Sequence, residues 1–346
     1  MKTNQCGWNL TFVLLLTAGI ALLLVVNVAL GSVSIPAREV VHILAQWATG
    51  HDDGSVWTNI VLRTRIPQAL TALLCGAGLA VAGLEMQTVF RNPLAGPSVL
   101  GISNGASLGV ALLLLFSGQT AGLSLSSLGI YGGMAVTLAA ALGAMGVMTI
   151  IATVARHVRG NVTLLIMGVM IGYIVNAIIG VLKYFSVAED IHSYTIWGLG
   201  SFSAVGTDRL PLFAIATGVL LPLAFLMAKP LNLMLLGEHY AQNLGLDVRR
   251  MRTLAILSAS LLVAVCTAFC GPISFLGLAV PHLCRGLFRT TDHRWLMPAC
   301  MLAGAALALC CNLLARLPGA EGALPVNSVT ALIGAPVVIW VLFHRR

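Results

Sequence analysis

Ten long apolar runs constrain this chain more than any other feature. They cover roughly residues 10–31, 66–90, 98–117, 129–154, 162–184, 211–228, 252–271, 275–288, 296–315 and 326–343. A helix needs about 20 apolar residues to cross the hydrocarbon core of a bilayer. In lipid, only α-helices and closed barrels satisfy every backbone polar group. Barrel strands alternate polar and apolar residues over about ten positions, whereas these runs are longer and do not alternate. The expected fold is an all-α polytopic membrane protein with about ten transmembrane helices. Charged residues make up 9% of the chain, against about 25% in a soluble domain. A water-soluble globule is therefore excluded, and so is disorder, which needs low hydrophobicity and high charge. Lys2 ahead of an apolar run mimics a signal peptide, but Leu10 to Leu30 exceeds a signal-peptide core and reads as the first span. The eighth run is short and contains Pro281.

The net charge of +8 sits in short loops, so it speaks to topology rather than to nucleic acid. With both termini inside, the inner loops hold 13 of the 19 Lys and Arg residues: Lys2, Arg91, Arg156, Arg159, Lys229, Arg249, Arg250, Arg252, Arg285, Arg289, Arg294, Arg345 and Arg346. Arg38, Arg63, Arg65, Lys183, Arg209 and Arg316 fall outside. The asymmetry predicts cytoplasmic termini and an even number of spans. Short connections leave no room for a soluble domain, so residues 1–346 are expected to form a single membrane domain. The longest inner loop is 229–252. Leu233, Leu236, Tyr240 and Leu244 recur there at helical spacing beside Glu238, His239 and Asp247, which predicts a short amphipathic helix at the inner surface. Outside, Ile191 to Trp197 reads as a short re-entrant or interfacial helix.

Several chemistries are missing. The only lysines are Lys2, Lys183 and Lys229, none in a phosphate-binding loop, so the chain is no conventional P-loop ATPase. H-E-x-x-H and G-x-S-x-G do not occur, and the eight histidines and eight cysteines show no metal-ligand or disulfide spacing. Of 11 carboxylates, only Glu85 lies inside a confident span. Ion-coupled transporters usually keep acids or histidines on their ion path, so this scarcity argues against a secondary transporter, although backbone carbonyls alone can hold Na⁺. A membrane enzyme would need a cluster of His, Asp or Glu at one depth, and none is evident. A structural scaffold is the remaining competitor. Small residues cluster at Gly76-Ala77-Gly78, Ala82-Gly83, Gly101 to Gly109 and Gly143 to Gly146. Such faces let helices pack closely in lipid, or line a gap for substrate. The turn Phe90 to Pro97, with Asn92 and two prolines, followed by Gly101-Ile102-Ser103-Asn104-Gly105, reads either as a tight connection or as a polar constriction on a pathway.

The stretch Arg65-Ile66-Pro67-Gln68, then Gly76 to Gly83, Met86-Gln87, and Asn92-Pro93-Leu94-Ala95-Gly96-Pro97 through Leu100 to Ala106, resembles the FecCD/BtuC family of ABC importer permeases. Trp197 to Phe202, Leu244 to Val248, Gly271 to Leu278 with Pro281, His282 and Arg285, and Leu324-Pro325-Val326 through Gly334-Ala335-Pro336 and Trp340 extend the resemblance along nearly the whole chain, in order. The family carries iron-siderophores, haem and vitamin B12. The resemblance implies a BtuC-like type II importer fold of ten helices with cytoplasmic termini. It implies a second permease subunit, usually identical, two ATP-binding cassette subunits beneath, and a soluble periplasmic or extracellular binding protein. ATP and Mg would reside on the partner ATPase, with no cofactor or metal in this chain. An ion-coupled transporter and a B12 importer stand as alternatives to a carrier of ferric siderophore or haem. Matched residue by residue, the ATPase-coupling segment is Gly237, Glu238, Ala241, Leu244 and Gly245. The inner gate matches Asn92 and Leu94, with a second gate near Asn161. Outward arginines that meet the binding protein match Arg65 and Arg316. Gln68 stands where the family often has another arginine, and Arg63 is a substitute. Lys183 is placed to attract an anionic chelate at the cavity mouth, and His192 to contact haem.

Overall fold

The computed structural model describes residues 2–31, 33–50, 54–116, 130–158, 160–316 and 323–343. Among these residues there are helices and no strands. In chain order the helices are α1 (Lys2–Ala29), α2 (Ala37–Ala48), α3 (Val56–Val89), α4 (Ile102–Phe116), α5 (Ile130–His157), α6 (Asn161–Phe185) and α7 (Ala188–Gly198). Then follow α8 (Leu210–Phe225), α9 (Ala228–Leu235), α10 (Glu238–Asn243), α11 (Val248–Cys270), α12 (Leu276–Phe288), α13 (His293–Ala315) and α14 (Val326–Phe343). Each of the ten apolar runs carries a helix. α1, α3, α5, α6, α11 and α13 are long and apolar enough to cross a membrane unaided, and α8 with α9 forms a pair bent by 43°. Pro230, in the first turn of α9, has no N–H to bond the Leu226 carbonyl four residues back, so the helical ladder breaks at the bend.

α3 is the central post. It packs against α13, α11, α12 and α8, while α4 lies between α5 and α6, and α1 covers α13. Glycine allows these contacts. A Cβ on Gly304 would lie 2.6 Å from the Ala80 methyl, and one on Gly105 would lie 2.6 Å from the Gly143 carbonyl oxygen. Both distances are well inside van der Waals contact. The small-residue runs at Gly76 to Gly83 and Gly101 to Gly109 are thus packing seams. α3 also carries one π turn, Val61–Arg65. Pro67, just beyond it, has no N–H to offer the residue four back, and the widened turn absorbs that missing bond.

Two helices are too short to span. α4 has 15 residues and α12 has 13, which is about 22 and 20 Å of rise against a hydrocarbon core of about 30 Å. Both begin within the bundle. Gly277, in the first turn of α12, packs on the backbone of α3 at Leu79 and Gly83. Those residues lie ten and six positions from the end of α3, about 15 and 9 Å along its axis. Pro97, ahead of α4, packs on the same Gly277. The runs 98–117 and 275–288 are therefore half-length helices entered through irregular chain, not simple spans.

The bundle has two chemically distinct ends. At one, α1 finishes beside Arg65 and Arg316, and α14 begins next to Leu199, whose carbonyl accepts the Asn327 N–H. At the other, Arg91, Arg252 and Arg285 gather with α9, α10 and the start of α13. The charge distribution assigns this second end to the cytoplasm, and it is called the inner end below. The expected amphipathic helix over 229–252 is two helices, α9 and α10. They break at Gly237, whose φ of 120° suits glycine and few other residues.

Candidate functional site

The irregular segments that start α4 and α12 meet each other. The turn Asn92 to Val99 runs back into the bundle from the inner end of α3, and Ile273 to Leu278 descends from the opposite end. Between them lies a cavity of about 280 Å³ lined by Leu94, Pro97, Ile273, Phe275 and Leu278 among others. Phe275 has φ 66°, a left-handed conformation uncommon outside glycine. Its Cβ fills the space where Gly334 of α14 would carry a side chain. Ser274 N–H donates to Asn327 Oδ1 at 3.0 Å, which holds this segment to the start of α14. Non-helical backbone at membrane depth is tolerated only where protein buries it or where it lines a water-filled cavity. Transporters commonly place their binding sites at such broken helices, which makes this junction the candidate site.

A second cavity of about 230 Å³ lies across the turn Pro97–Leu100 and shares Ser98 and Val99 with the first. Asn104 of α4 and Gly172, Tyr173 and Asn176 of α6 line it. Gly172 lets the Asn104 amide approach, since a Cβ there would sit 2.8 Å from Asn104 Nδ2. Neither Asn104 nor Asn176 makes a side-chain hydrogen bond among the described residues, and Asn176 is exposed. An amide left open to hydrocarbon costs several kcal/mol. This face of α6 therefore meets water, cargo or another subunit rather than lipid. Tyr173 and Asn176 went unseen in the sequence because they sit singly in an otherwise apolar run.

The expected gate residues separate on inspection. Leu94 is exposed and lines the first cavity. Asn92 does not line it: its Oδ1 accepts the Leu94 N–H at 2.9 Å and shapes the turn from within. Asn161 is the first residue of α6, and its side chain lies outside the described residues. Lys183 is remote, seven residues beyond Asn176, with its ammonium 4.6 Å over the Tyr194 ring. Burial pushes the Tyr194 phenol up from its ordinary pKa, against a hydrogen bond to Ser107 that lowers it. His192 is exposed on α7.

Arg65 and Arg316 are corrected by the structure. Both were expected to face outward, yet they are 2% and 8% exposed. Arg65 donates to the carbonyls of Val28, Ala29 and Val33, which close the end of α1. Arg316 donates to Gln68 Oε1 at 3.0 Å and to Asn27 Oδ1 at 3.2 Å, and Asn312 Nδ2 donates to the same Asn27 oxygen at 2.9 Å. Cations beside helix C-termini are electrostatically favoured, so the two guanidiniums clamp α1, α3 and α13 together. Gln68, where a further arginine was anticipated, belongs to this clamp. Arg63 remains exposed.

At the inner end, Gly237 precedes α10, and Glu238 accepts from Arg252 Nη2 at 2.7 Å. Ala241 is fully buried, and Gly245 turns the chain with φ 85°. Leu236, Tyr240 and Leu244 are 60%, 56% and 54% exposed, an apolar patch on a surface away from the core. Glu85, the lone acid inside a span, is buried and accepts from Ser258 at 3.0 Å. Among the described residues no group of three or more His, Cys, Asp or Glu is arranged to hold a metal ion.

The chain matches the FecCD transport family over residues 19–344. It belongs to that family. It is 36% identical over 337 residues, 96% of each chain, to the hemin transport system permease protein HmuU of Yersinia pestis. It is 36% identical over 346 residues, 100% of this chain and 95% of the other, to the vitamin B12 import system permease protein BtuC of Klebsiella pneumoniae. Among solved structures it resembles a metal-chelate type ABC transporter in an inward-facing conformation, with a TM-score of 0.81 at 27% identity, covering 97% of this chain and 99% of that one. The family member described here is accordingly an ABC importer permease, a multi-pass protein of the cytoplasmic membrane. The lack of a phosphate-binding loop agrees with a subunit that does not itself hydrolyse ATP.

Proposed function

We propose that this permease conducts an iron chelate, ferric siderophore or haem, from an external binding protein to the cytoplasm. Two copies enclose the pathway and two ATPase subunits grip the inner side. Ten membrane-embedded helices, two of them half-length, and cytoplasmic termini complete the reading, and the charge asymmetry of the loops supports the termini. The observation that carries the proposal is the meeting of two half-helices beside unpaired amides, Asn104 and Asn176, with no carboxylate or cation among the residues lining either cavity. A neutral polar lining lets a large chelate pass without trapping it.

Leu94 narrows the pathway from the inner turn, a second gate lies near Asn161, and Lys183 draws anionic cargo toward the outer mouth. The patch Leu236, Tyr240 and Leu244, framed by Gly237 and Gly245, is the surface offered to the ATPase, and Glu238 fastens it to α11 through Arg252. Arg63 is the exposed cation available to a binding protein. Rim charges of this kind chiefly set encounter and register.

The test is reconstitution in proteoliposomes with cognate ATPase and binding protein, comparing uptake of haem, a ferric siderophore and cobalamin. ATP-dependent uptake of haem or siderophore is expected. Preference for cobalamin would replace the cargo, and uptake driven by an ion gradient without ATP would overturn the mechanism.

A further inference from the structure

The inner end contains a set of buried contacts that the pathway and the docking patch do not use. His293, the first residue of α13, is 1% exposed. Its Nδ1 lies 2.7 Å from Asn232 Oδ1 on α9, and its backbone N–H donates to the same oxygen at 2.9 Å. The orientation of Asn232 is set because its Nδ2 donates to Asp292 Oδ1 at 2.6 Å. The oxygen therefore faces His293, and Nδ1 is the protonated ring nitrogen. His293 Nε2 in turn lies 2.8 Å from Thr88 Oγ1, in the last turn of α3. One imidazole thus bridges α9 to α3.

A second bridge runs parallel to it. Arg91, two residues past α3, has φ 47°, a conformation that L side chains seldom adopt. From there its Nη2 donates to the Met234 carbonyl of α9 at 2.7 Å. Arg91 immediately precedes Asn92 and the turn that lines the first cavity. Met234 lies three residues before Gly237 and the docking patch. The strained backbone places one guanidinium between the two segments that must communicate.

We propose that α9 and the turn Asn92 to Pro97 move as one rigid unit, clasped by Asn232–His293–Thr88 and by Arg91–Met234. A displacement of the docking patch is then delivered to the cavity-lining turn without loss in a flexible joint. Thr88, Arg91, Asn232 and His293 are positioning residues for transport. The inference rests on the coupling role proposed above for α10. Rigid elements joined by discrete contacts are what such transmission requires.

The experiment uses the whole reconstituted complex with Cys6 and Cys310 replaced by Ser. Spin labels are placed at Leu94→Cys and Leu235→Cys, both exposed positions. Their separation is measured without nucleotide and with ATP trapped. The expected change is under about 1 Å, whereas helices that shift independently move by about 1–2 Å and at the extreme by a whole turn, about 5 Å. In Arg91→Ala/Asn232→Ala the separation should become nucleotide-dependent, and haem carried per ATP hydrolysed should fall at least fivefold. A wild-type separation that changes as much as independently shifting helices do overturns the clasp. So does a double variant whose separation and transport per ATP match wild type. If the double variant fails to assemble, Arg91→Lys, which keeps the charge but shortens the donor, is read by the same two measurements. The distance measurement needs no cargo. A complex that binds ATP but imports none of the three chelates would therefore sink the functional reading while leaving the clasp tested.

Discussion

Replacing Arg316 separates two roles for the buried arginines. In Arg316→Met the side-chain volume stays and the donors go. Gln68 Oε1 loses its donor, and the Asn27 and Asn312 carbonyls at two helix ends lose theirs, while Asn27 Oδ1 keeps the Asn312 amide. An orphaned buried acceptor costs about 1–3 kcal/mol. The helix-end carbonyls are partly relieved by water at the rim, and removing a buried guanidinium returns some desolvation energy. A net loss of about 3 kcal/mol follows. The readout is intrinsic to the chain. Cys75, Cys266, Cys270, Cys284, Cys300 and Cys311 are buried, so a thiol-reactive dye reports unfolding as they become exposed. Arg316→Met should melt well below wild type, and Arg65→Met likewise. Arg63→Ala should melt unchanged while slowing capture of the binding protein in low salt. If Arg316→Met melted like wild type but lost the binding protein, the clamp would be wrong and an outward docking role restored.

Other substitutions probe the remaining contacts. Gly304→Leu should prevent assembly of the bundle, because even a Cβ there meets Ala80 at 2.6 Å; failure to purify a monodisperse protein checks it. Glu85→Gln should leave ATP-driven uptake within about twofold, because a single hydrogen bond to Ser258 is worth about 1 kcal/mol and stays available to an amide; abolished uptake would assign Glu85 to a proton path. Leu236→Ser/Tyr240→Ser/Leu244→Ser should keep the thermal midpoint and lose co-purification of the ATPase, since these exposed side chains contribute little to the fold. Asn176→Leu should lower the uptake rate severalfold without changing ATPase binding, which uptake and pull-down measurements separate.

The all-helical membrane fold was legible because long apolar runs report burial in lipid directly. Their depth was not. Hydropathy treats Leu276–Phe288 as a weak span, and only the contact of Gly277 with Leu79 and Gly83 reveals a half-helix. Arg65 and Arg316 were misread for a related reason. An arginine at a helix end reads as outward-facing by default, and the partners that turn these inward include Val28, 37 residues from Arg65, and Asn27 and Gln68, 289 and 248 residues from Arg316. Asn104 was noticed because glycines surround it, while Asn176 and Tyr173 carried no local signal. The helical character of 229–252 was legible in its apolar spacing, although Gly237 divides it into two helices. His293 drew no attention because its partners, Thr88 and Asn232, lie 205 and 61 residues away.

The placement of charge fits the proposed dependence on a separate motor. Arginines are confined to the two ends, and several are committed there, to helix-end carbonyls at Arg65 and Arg316, to Glu238 at Arg252, and to Met234 at Arg91. The cavities between hold amides, a phenol, two serines and apolar side chains. A guanidinium in that space would bind an anionic chelate tightly and release it slowly. A neutral lining binds weakly, so capture has to come from outside and directionality from a driven change of shape. The glycine seams of α3 join rigid helices closely. The irregular segments lie between these rigid helices, and the turn beginning at Asn92 is tied to α9 through Arg91 and the Met234 carbonyl.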